Sequence, residues 1–338
     1  MINKAYAIEI TGRGGPDKLK RVALDLPPLP DKGHVRIKVE ATGVAFADIV
    51  MREGLYPEQP PFPFSPGYDV VGIIEEVASD VDLVPGSRVG ALTRTGGYAS
   101  HIDLPVDRCA PAPDGADSVA AVAVILNGLT AFQMMRRMAR VEPGETVLIH
   151  GGAGGVGTLL LDLARHFDLK AFATASAGKH DVVTARGGIP IDYKAQDFVD
   201  VLAGEGIDAV FDPVGGENLS RSRQVLRGGG RLVTYGFSDA FSGGRRNLIK
   251  GLIGLIRQPR VTGMALMDVN QGVLGYDVWR LSHQRPDWYL DDLSTVFDLL
   301  AAGALTPEIG ATLPLTDAAK AHQMLGNAAV SGKIVLKP

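Results

Sequence analysis

Three glycines with the spacing Gly152-x-Gly154-x-x-Gly157 stand in the segment TVLIHGGAGGVGTLLLDLARHF. They follow a short apolar run typical of a buried strand and precede a pattern typical of an amphipathic helix. In that context the glycines allow a tight turn, a close approach of the backbone to a pyrophosphate, and close packing of helix on strand. The helix N-terminus then attracts phosphate. The motif predicts a dinucleotide site that includes Gly152, Ala153, Gly154, Gly155, Val156 and Gly157.

The second strand of such a site ends in the residues ATAS, about twenty positions further on, and carries no acidic residue. Sites that prefer NAD place Asp or Glu there to bind the ribose 2′-OH. Here the chain offers the hydroxyls of Thr174 and Ser176 and the ammonium of Lys179, which suit a 2′-phosphate. Tyr193, after the third strand, is expected near the adenine. We therefore predict that the cofactor is NADPH.

Short apolar strands alternate with helical patterns around this site, at 146–150, 170–175, 208–212 and 231–236. Such an alternation predicts a parallel sheet covered on both faces. The first hundred or so residues are instead β-rich, because their apolar and polar residues alternate and turn signals separate them. The predicted fold class is α/β.

Two helical segments carry further expectations. The apolar stretch that begins at residue 118 predicts a helix, a break near Asn127-Gly128 and a second helix. The segment 245–258 predicts an amphipathic helix, which packs over a cleft or, less in keeping with the composition, lies on a membrane surface.

The composition limits the class of protein. The chain has 338 residues, of which 46% are hydrophobic and 21% charged, and a net charge of −4. This predicts about two globular domains and gives no electrostatic case for nucleic acid. The single cysteine, Cys109, excludes a disulfide within the chain and a cysteine-based zinc cluster. With no signal-like or membrane-spanning run recognised, we expect a cytoplasmic protein without firm membrane association.

Motifs along the whole chain resemble the medium-chain dehydrogenase/reductase superfamily, in its zinc-free quinone oxidoreductase (zeta-crystallin-like) branch. They are GVAFADIVMREGLYP, SPGYDVVG, LNGLTAF, HGGAGGVG, DPVGG and SGKIVL. Other segments, ATASAGKH and PIDYK among them, are most similar to the vesicle amine transport protein 1 subgroup. The resemblance implies a discontinuous β-rich GroES-like catalytic domain and an inserted Rossmann NADPH-binding domain. The implied bounds are 1–122 and 281–338 for the first and 123–280 for the second, with an insert at about 237–280.

The resemblance also implies site residues that spacing alone does not identify. Tyr56 matches a tyrosine that many of these enzymes have near the substrate; it is expected either to donate a proton or orient an oxygen, or to pack beside the neighbouring prolines. Asn127 and Thr130 match positions near the nicotinamide. The remaining implied cofactor positions are Val214, Tyr235, Gly236, Phe237, Ser331 and Lys333. A strand at 260–267 is expected at the sheet edge through which relatives dimerise, so we expect a homodimer.

No zinc site is expected. The Pro-Gly-His-Glu motif of the zinc enzymes of the superfamily has become Pro66-Gly67-Tyr68-Asp69, and the seven histidines show no metal-binding spacing. Without a Lewis acid to polarise an alcohol, hydride delivery to an already electrophilic carbon is favoured. The predicted function is therefore an NADPH-dependent reductase of quinones or α,β-unsaturated carbonyl compounds.

Two other functions stay open on the residues alone. One is an enoyl-thioester reductase of lipid or polyketide metabolism, in which the segment 245–258 shapes an apolar substrate channel. The other is an NADPH-binding interaction protein with little turnover, because no firm acid–base residue stands out. Ala45 stands where many quinone reductases have asparagine, which leaves the substrate class open.

Overall fold

A computed structural model describes residues 5–29, 32–237, 261–327 and 329–338. The strands are β1 Tyr6–Ile10, β2 Leu19–Ala23, β3 His34–Val44, β4 Asp69–Val77, β5 Arg88–Leu92, β6 His101–Pro105, β7 Ala110–Pro111, β8 Thr146–His150, β9 Lys170–Ala175, β10 Ile189–Asp192, β11 Ile207–Asp212, β12 Leu226–Thr234, β13 Gly272–Gly275, β14 Ile309–Pro314 and β15 Lys333–Lys337.

The α-helices are α1 Phe46–Arg52, α2 Ser118–Gln133, α3 Gly155–His166, α4 His180–Thr184, α5 Phe198–Val201, α6 Asn218–Gln224, α7 Gly263–Met267, α8 Val278–Gln284, α9 Pro286–Ala301 and α10 Ala318–Gly326. A π-helical stretch, Met134–Ala139, extends α2. Short 3₁₀ turns are formed by Pro16–Lys18, Val106–Arg108, Ala177–Lys179 and Leu315–Asp317.

The chain divides into two compact units. The β-rich unit comprises Met1–Leu129 and Ser282–Pro338, and the parallel-sheet unit comprises Thr130–Leu281. A parallel-sheet unit inserted into a discontinuous β-rich unit confirms the predicted fold class. The unit boundaries fall at 129/130 and 281/282, where the sequence analysis placed them at 122/123 and 280/281.

The parallel-sheet unit is built on six parallel strands in the order β10-β9-β8-β11-β12-β13. Val147, Leu148 and Ile149 of β8 are fully buried, as expected for a strand with helices on both faces of its sheet. The strand order reverses between β8 and β11. In open sheets of this kind, ligands bind outside the carboxyl ends of the strands at that reversal.

The β-rich unit contains a seven-stranded sheet. Six of its strands follow the order β14-β15-β3-β4-β5-β7, and β6 pairs with β3. The long strand β3 carries Val35, Ile37 and Val39 into a buried cluster, which explains its alternating sequence. Strands β1 and β2 form a separate antiparallel pair.

The predicted break at Asn127-Gly128 is wrong. Helix α2 runs through both residues to Gln133, and the irregular turn comes later, in the π-helical stretch. A glycine inside a helix costs only about 1 kcal/mol relative to alanine. Residues 121–125 and Leu129 are fully buried, and this packing outweighs that cost.

The predicted strand at 260–267 is also wrong. Residues Gly263–Met267 form helix α7, and the hydroxyl of Thr262 caps it by accepting from the Ala265 N–H. Alanine, leucine and methionine favour helix, and among the described residues the outer strands of the sheet are β10 and β13. A homodimer stays a prediction. The whole amphipathic segment predicted at 245–258, together with residues 238–260 of the insert, lies outside the described residues.

One helical stretch of the described chain, Ser118–Ala139, has the length and apolar composition of a membrane span. The sequence analysis did not recognise it. Most of its apolar 18-residue window is buried inside the protein. Core helices of soluble proteins meet the same two criteria, so the stretch is weak evidence for a membrane.

Candidate functional site

The glycine loop follows β8 and leads directly into α3. A side chain at Gly157 would place its Cβ well inside contact distance of the Gly151 carbonyl oxygen. At Gly152 the Cβ would lie 2.5 Å from the Cβ of Ala173. At Gly154 it would meet, within the described chain, only the Gly151 oxygen, at 3.2 Å. Packing therefore requires glycine at positions 152 and 157, whereas a side chain at Gly154 would need a much smaller adjustment.

The N-terminus of α3 presents only backbone donors. The helix has 12 residues, it begins at Gly155, and its capping residue is Gly154, which has no side chain to bond the first N–H groups. Those groups and the positive end of the helix dipole suit phosphate oxygens. The structure thus provides the strand, glycine turn and helix that the motif predicts.

At the end of β9, a 3₁₀ turn brings Ser176 and Lys179 together. The Lys179 N–H donates to the Ser176 carbonyl oxygen over 2.8 Å. Both residues are half-buried. Strand β9, which ends directly before Ser176, contains no acidic residue. The two groups predicted to bind a 2′-phosphate therefore lie on one turn.

Thr174 lies deeper than the sequence prediction placed it. Its side chain is buried, and its oxygen accepts from the Gly151 N–H over 3.1 Å. Its hydroxyl also lies 3.2 Å from Nδ1 of His150. In this structure the Thr174 hydroxyl holds the start of the glycine loop.

Tyr193 leaves the sheet beside the same turn. The register of β9 and β10 pairs Ala175 with Asp192, so the next residues, Ser176 and Tyr193, emerge at the same sheet edge. Tyr193 is 57% exposed, which leaves its ring available for a planar base.

The positions predicted to flank the nicotinamide half form a second loop cluster. Strands β11 and β12 end side by side, and the Tyr235 N–H donates to the Asp212 carbonyl oxygen over 3.1 Å. A Cβ at Gly236 would lie 2.8 Å from the Pro213 oxygen, and one at Gly215 would lie 2.9 Å from the Phe237 ring. The segments 213–216 and 235–237 are therefore packed tightly on each other.

Asp212 was missed by the sequence analysis, although it opens the DPVGG motif. Its Oδ1 accepts from the N–H groups of Val214 and Gly215 over 2.7 and 3.0 Å. The carboxylate therefore shapes the loop that carries Val214. An acid directly after a buried strand and before a glycine turn is the signal that could have identified it.

In the β-rich unit, two phenols form a pair. The hydroxyls of Tyr56 and Tyr68 lie 3.0 Å apart; Tyr68 is buried and Tyr56 half-buried. The guanidinium of Arg94 lies 5.4 Å from the centre of the Tyr56 ring and donates to the Pro57 carbonyl over 2.9 Å. The sequence analysis named Tyr56 but not its partner.

Asp48 positions both sides of that pair. Its carboxyl accepts from the Ala45 N–H over 2.8 Å, at the start of α1, and from the Gly67 N–H over 3.1 Å, directly before Tyr68. The Tyr98 hydroxyl donates to it over 3.2 Å. Burial raises the pKa of Asp48 to about 7, against the two N–H groups.

Asn127 and Thr130 lie three residues apart on α2, and both are buried. Positions with that separation share one helix face, so the predicted nicotinamide contacts occupy the same side of the helix. Their role in binding stays a prediction.

Lys333 is engaged within the β-rich unit. Its ammonium lies 3.0 Å from Oδ2 of Asp69, and both side chains are at most 3% exposed. The other oxygen, Oδ1, accepts from the Gly43 N–H over 2.9 Å. This buried ion pair joins β15 to β4. Contact of Lys333 or its neighbour Ser331 with a cofactor stays a prediction.

The residues at the position of the zinc-binding motif do not fit a zinc ion. Asp69 is committed to Lys333 and to backbone N–H groups, and Tyr68 is a phenol bonded to Tyr56. Zinc needs three or four nitrogen, sulfur or oxygen ligands around one point. Within the described ranges, no group of three or more His, Cys, Asp or Glu side chains has that arrangement. Zinc independence stays a prediction.

Two family descriptions match the chain. "Alcohol dehydrogenase GroES-like domain" matches residues 31–114, and "Zinc-binding dehydrogenase" matches residues 188–336. The first match lies within the β-rich unit, whereas the second covers parts of both units.

Proteins of known sequence or structure are similar to the chain over nearly its whole length. The synaptic vesicle membrane protein VAT-1 homolog of Rattus norvegicus is 33% identical over 340 residues, which cover 97% of this chain and 83% of that protein. The 2-haloacrylate reductase of Burkholderia sp is 30% identical and covers 98% of both chains. The crystal structure of Escherichia coli quinone oxidoreductase complexed with NADPH has a TM-score of 0.85 at 27% identity, covering 98% of this chain and 100% of that chain.

Proposed function

The chain belongs to the medium-chain dehydrogenase/reductase superfamily, in its quinone oxidoreductase-like branch and close to the VAT-1 homologues. On that premise we propose that it is an NADPH-dependent reductase of quinones or α,β-unsaturated carbonyl compounds. The observation that carries the proposal is the turn that places Ser176 and Lys179 together, where a carboxylate would stand in an NAD site.

The residues of the parallel-sheet unit suit NADPH. The glycine loop and the N-terminus of α3 offer backbone N–H groups to a pyrophosphate. Ser176 and Lys179 offer a hydroxyl and a positive charge to a 2′-phosphate, and Tyr193 offers an exposed ring to the adenine. The similar quinone oxidoreductase of Escherichia coli is a complex with the same cofactor.

The substrate class follows from the groups available for chemistry. NADPH, when bound, supplies a hydride from the nicotinamide. The phenol pair Tyr56–Tyr68 offers a hydroxyl that can donate a hydrogen bond or a proton to an oxygen on which negative charge develops. The side chains at the zinc-motif position are engaged with other residues, Tyr68 with Tyr56 and Asp69 with Lys333. A hydride donor and a phenol hydroxyl suit an acceptor whose carbon is already electrophilic through conjugation. The similar 2-haloacrylate reductase is named for such a compound.

Reversing the charge of Lys179 should change cofactor preference. We expect Lys179→Glu to weaken NADPH binding by about 10–100-fold, because a charge-assisted bond of about 1.5–3 kcal/mol is lost. NADH binding should change by less than about threefold. Calorimetric titration of both dinucleotides measures this, with Lys320→Glu on α10 as a control for the net charge. Equal weakening of both dinucleotides would contradict a contact with the 2′-phosphate.

The reaction itself is tested by following NADPH oxidation with a panel of quinones, enones and enoyl thioesters. We expect turnover with quinones or enones, at rates that rise with the electrophilicity of the acceptor. Turnover with thioesters alone would assign the protein to enoyl-thioester reduction. Tight NADPH binding without turnover on the whole panel would favour an interaction protein that binds the cofactor.

A further inference from the structure

Buried polar side chains form a line beneath the loops of the parallel-sheet unit. The Gly151 N–H donates to the Thr174 hydroxyl over 3.1 Å, and the Thr174 oxygen lies 3.2 Å from Nδ1 of His150. Across the ring, Nε2 lies 3.0 Å from the Ser222 oxygen, and the Ser222 hydroxyl donates to Oδ2 of Asp212 over 2.9 Å. The line joins the start of the glycine loop to the acid at the end of β11.

The donors of this line all point the same way. A carboxylate only accepts, so Ser222 donates to Asp212 and accepts from the Nε2–H of His150. Nδ1 is then the acceptor for the Thr174 hydroxyl. Burial lowers the pKa of His150 to about 4, despite the nearby carboxylate, so the ring is neutral and has one donor and one acceptor. Bonds aligned in one direction strengthen each other.

The far end of the line holds the second loop. Oδ1 of Asp212 accepts from the N–H groups of Val214 and Gly215, and Oδ2 also accepts from the Asn218 amide over 2.8 Å. The loop after β8 and the loop after β11 therefore share one side-chain network. These are the two strands between which the strand order reverses, where sheets of this kind bind ligands.

We propose that Ser222 and His150 are positioning residues that hold the glycine loop and the 213–216 loop in register for one dinucleotide. The inference rests on the proposed function. Both side chains are buried, and they act on the ligand through the backbone of the two loops rather than by touching it. Cutting the line leaves each loop formed and lets the two shift relative to each other.

The first test compares two variants of one helical segment. Ser222→Ala cuts the line, whereas Val225→Ala removes buried apolar atoms directly after α6 and leaves the line intact. The Kd for NADPH is measured well below the Tm of the less stable variant. We expect a Kd about tenfold higher for Ser222→Ala, and less than about twofold higher for Val225→Ala. Equal Kd values for the two variants overturn the proposal.

A second test covers the case in which Ser222→Ala does not fold. Thr174→Val removes the hydroxyl and keeps the shape, and Thr174→Ser restores the hydroxyl. We expect weak NADPH binding by Thr174→Val and nearly normal binding by Thr174→Ser. The same Kd for both variants overturns the proposal.

Hydrogen exchange in the ligand-free protein separates this inference from the proposed cofactor. We expect Ser222→Ala to speed amide exchange both at Gly151 and at Val214, while Val225→Ala changes neither selectively. Faster exchange in the 213–216 loop alone overturns the coupling. If the wild-type protein does not bind NADPH, the proposed function fails, and so does the cofactor part of this inference. The exchange rates would still decide whether the two loops are coupled.

Discussion

Replacing Lys333 with methionine should lower the free energy of unfolding by about 3–5 kcal/mol, because Asp69 would keep a buried charge without its cation. The two groups lie 3.0 Å apart and are almost fully buried. The Gly43 N–H that also binds Asp69 offsets only part of that loss. Denaturant-induced unfolding measures the change.

A second lysine on the same strand supplies a control. Lys337 is exposed on the same strand, β15, and Lys337→Met should change the unfolding free energy by less than about 0.5 kcal/mol. Combining Lys333→Met with Asp69→Asn removes both charges, so the double variant should be more stable than the sum of the single effects predicts. If Lys333→Met were as stable as Lys337→Met, the buried ion pair would not stabilise the fold. That result would favour the predicted contact of Lys333 with the cofactor.

Alanine at Gly157 and alanine at Gly154 should have different effects, because the first glycine is needed for packing of α3 on β8 and the second for close approach to the pyrophosphate. At Gly157 the new methyl group collides with the Gly151 backbone, so α3 and β8 must move apart. We expect a loss of stability of about 1–3 kcal/mol or more, together with loss of NADPH binding.

At Gly154 the methyl group would lie 3.2 Å from the Gly151 carbonyl oxygen, its one neighbour among the described residues, so that oxygen need shift by only a few tenths of an ångström. Stability should fall by less than about 1 kcal/mol, while NADPH binding weakens at least about tenfold, because the backbone can no longer approach the pyrophosphate. Gly228→Ala is the control, because no atom of the described residues lies within 4 Å of the new group. Thermal unfolding and NADPH titration of the three variants give both quantities, and unchanged binding by Gly154→Ala would refute the predicted role of this glycine.

Two helices of the structure differ from what the local sequence pattern predicts. The pattern around Asn127-Gly128 indicates a break, yet α2 is continuous, because burial of its neighbours outweighs the preference of one glycine. The segment 260–267 is apolar enough to read as a strand, but the Thr262 cap and its helix-forming residues make it α7. Local preference decides only where packing does not override it.

By itself, the sequence determined the features whose cause is local. The apolar runs of β8 and β9, the spacing of the glycines and the missing acid before Lys179 identify a dinucleotide site, because a strand, a turn and a helix start depend on neighbouring residues. Only the tertiary structure decided which distant side chains meet. His150 reaches Ser222 across 72 positions and Lys333 reaches Asp69 across 264. Such pairs form only when helices and strands far apart in the chain pack together, and no local sequence pattern records that packing.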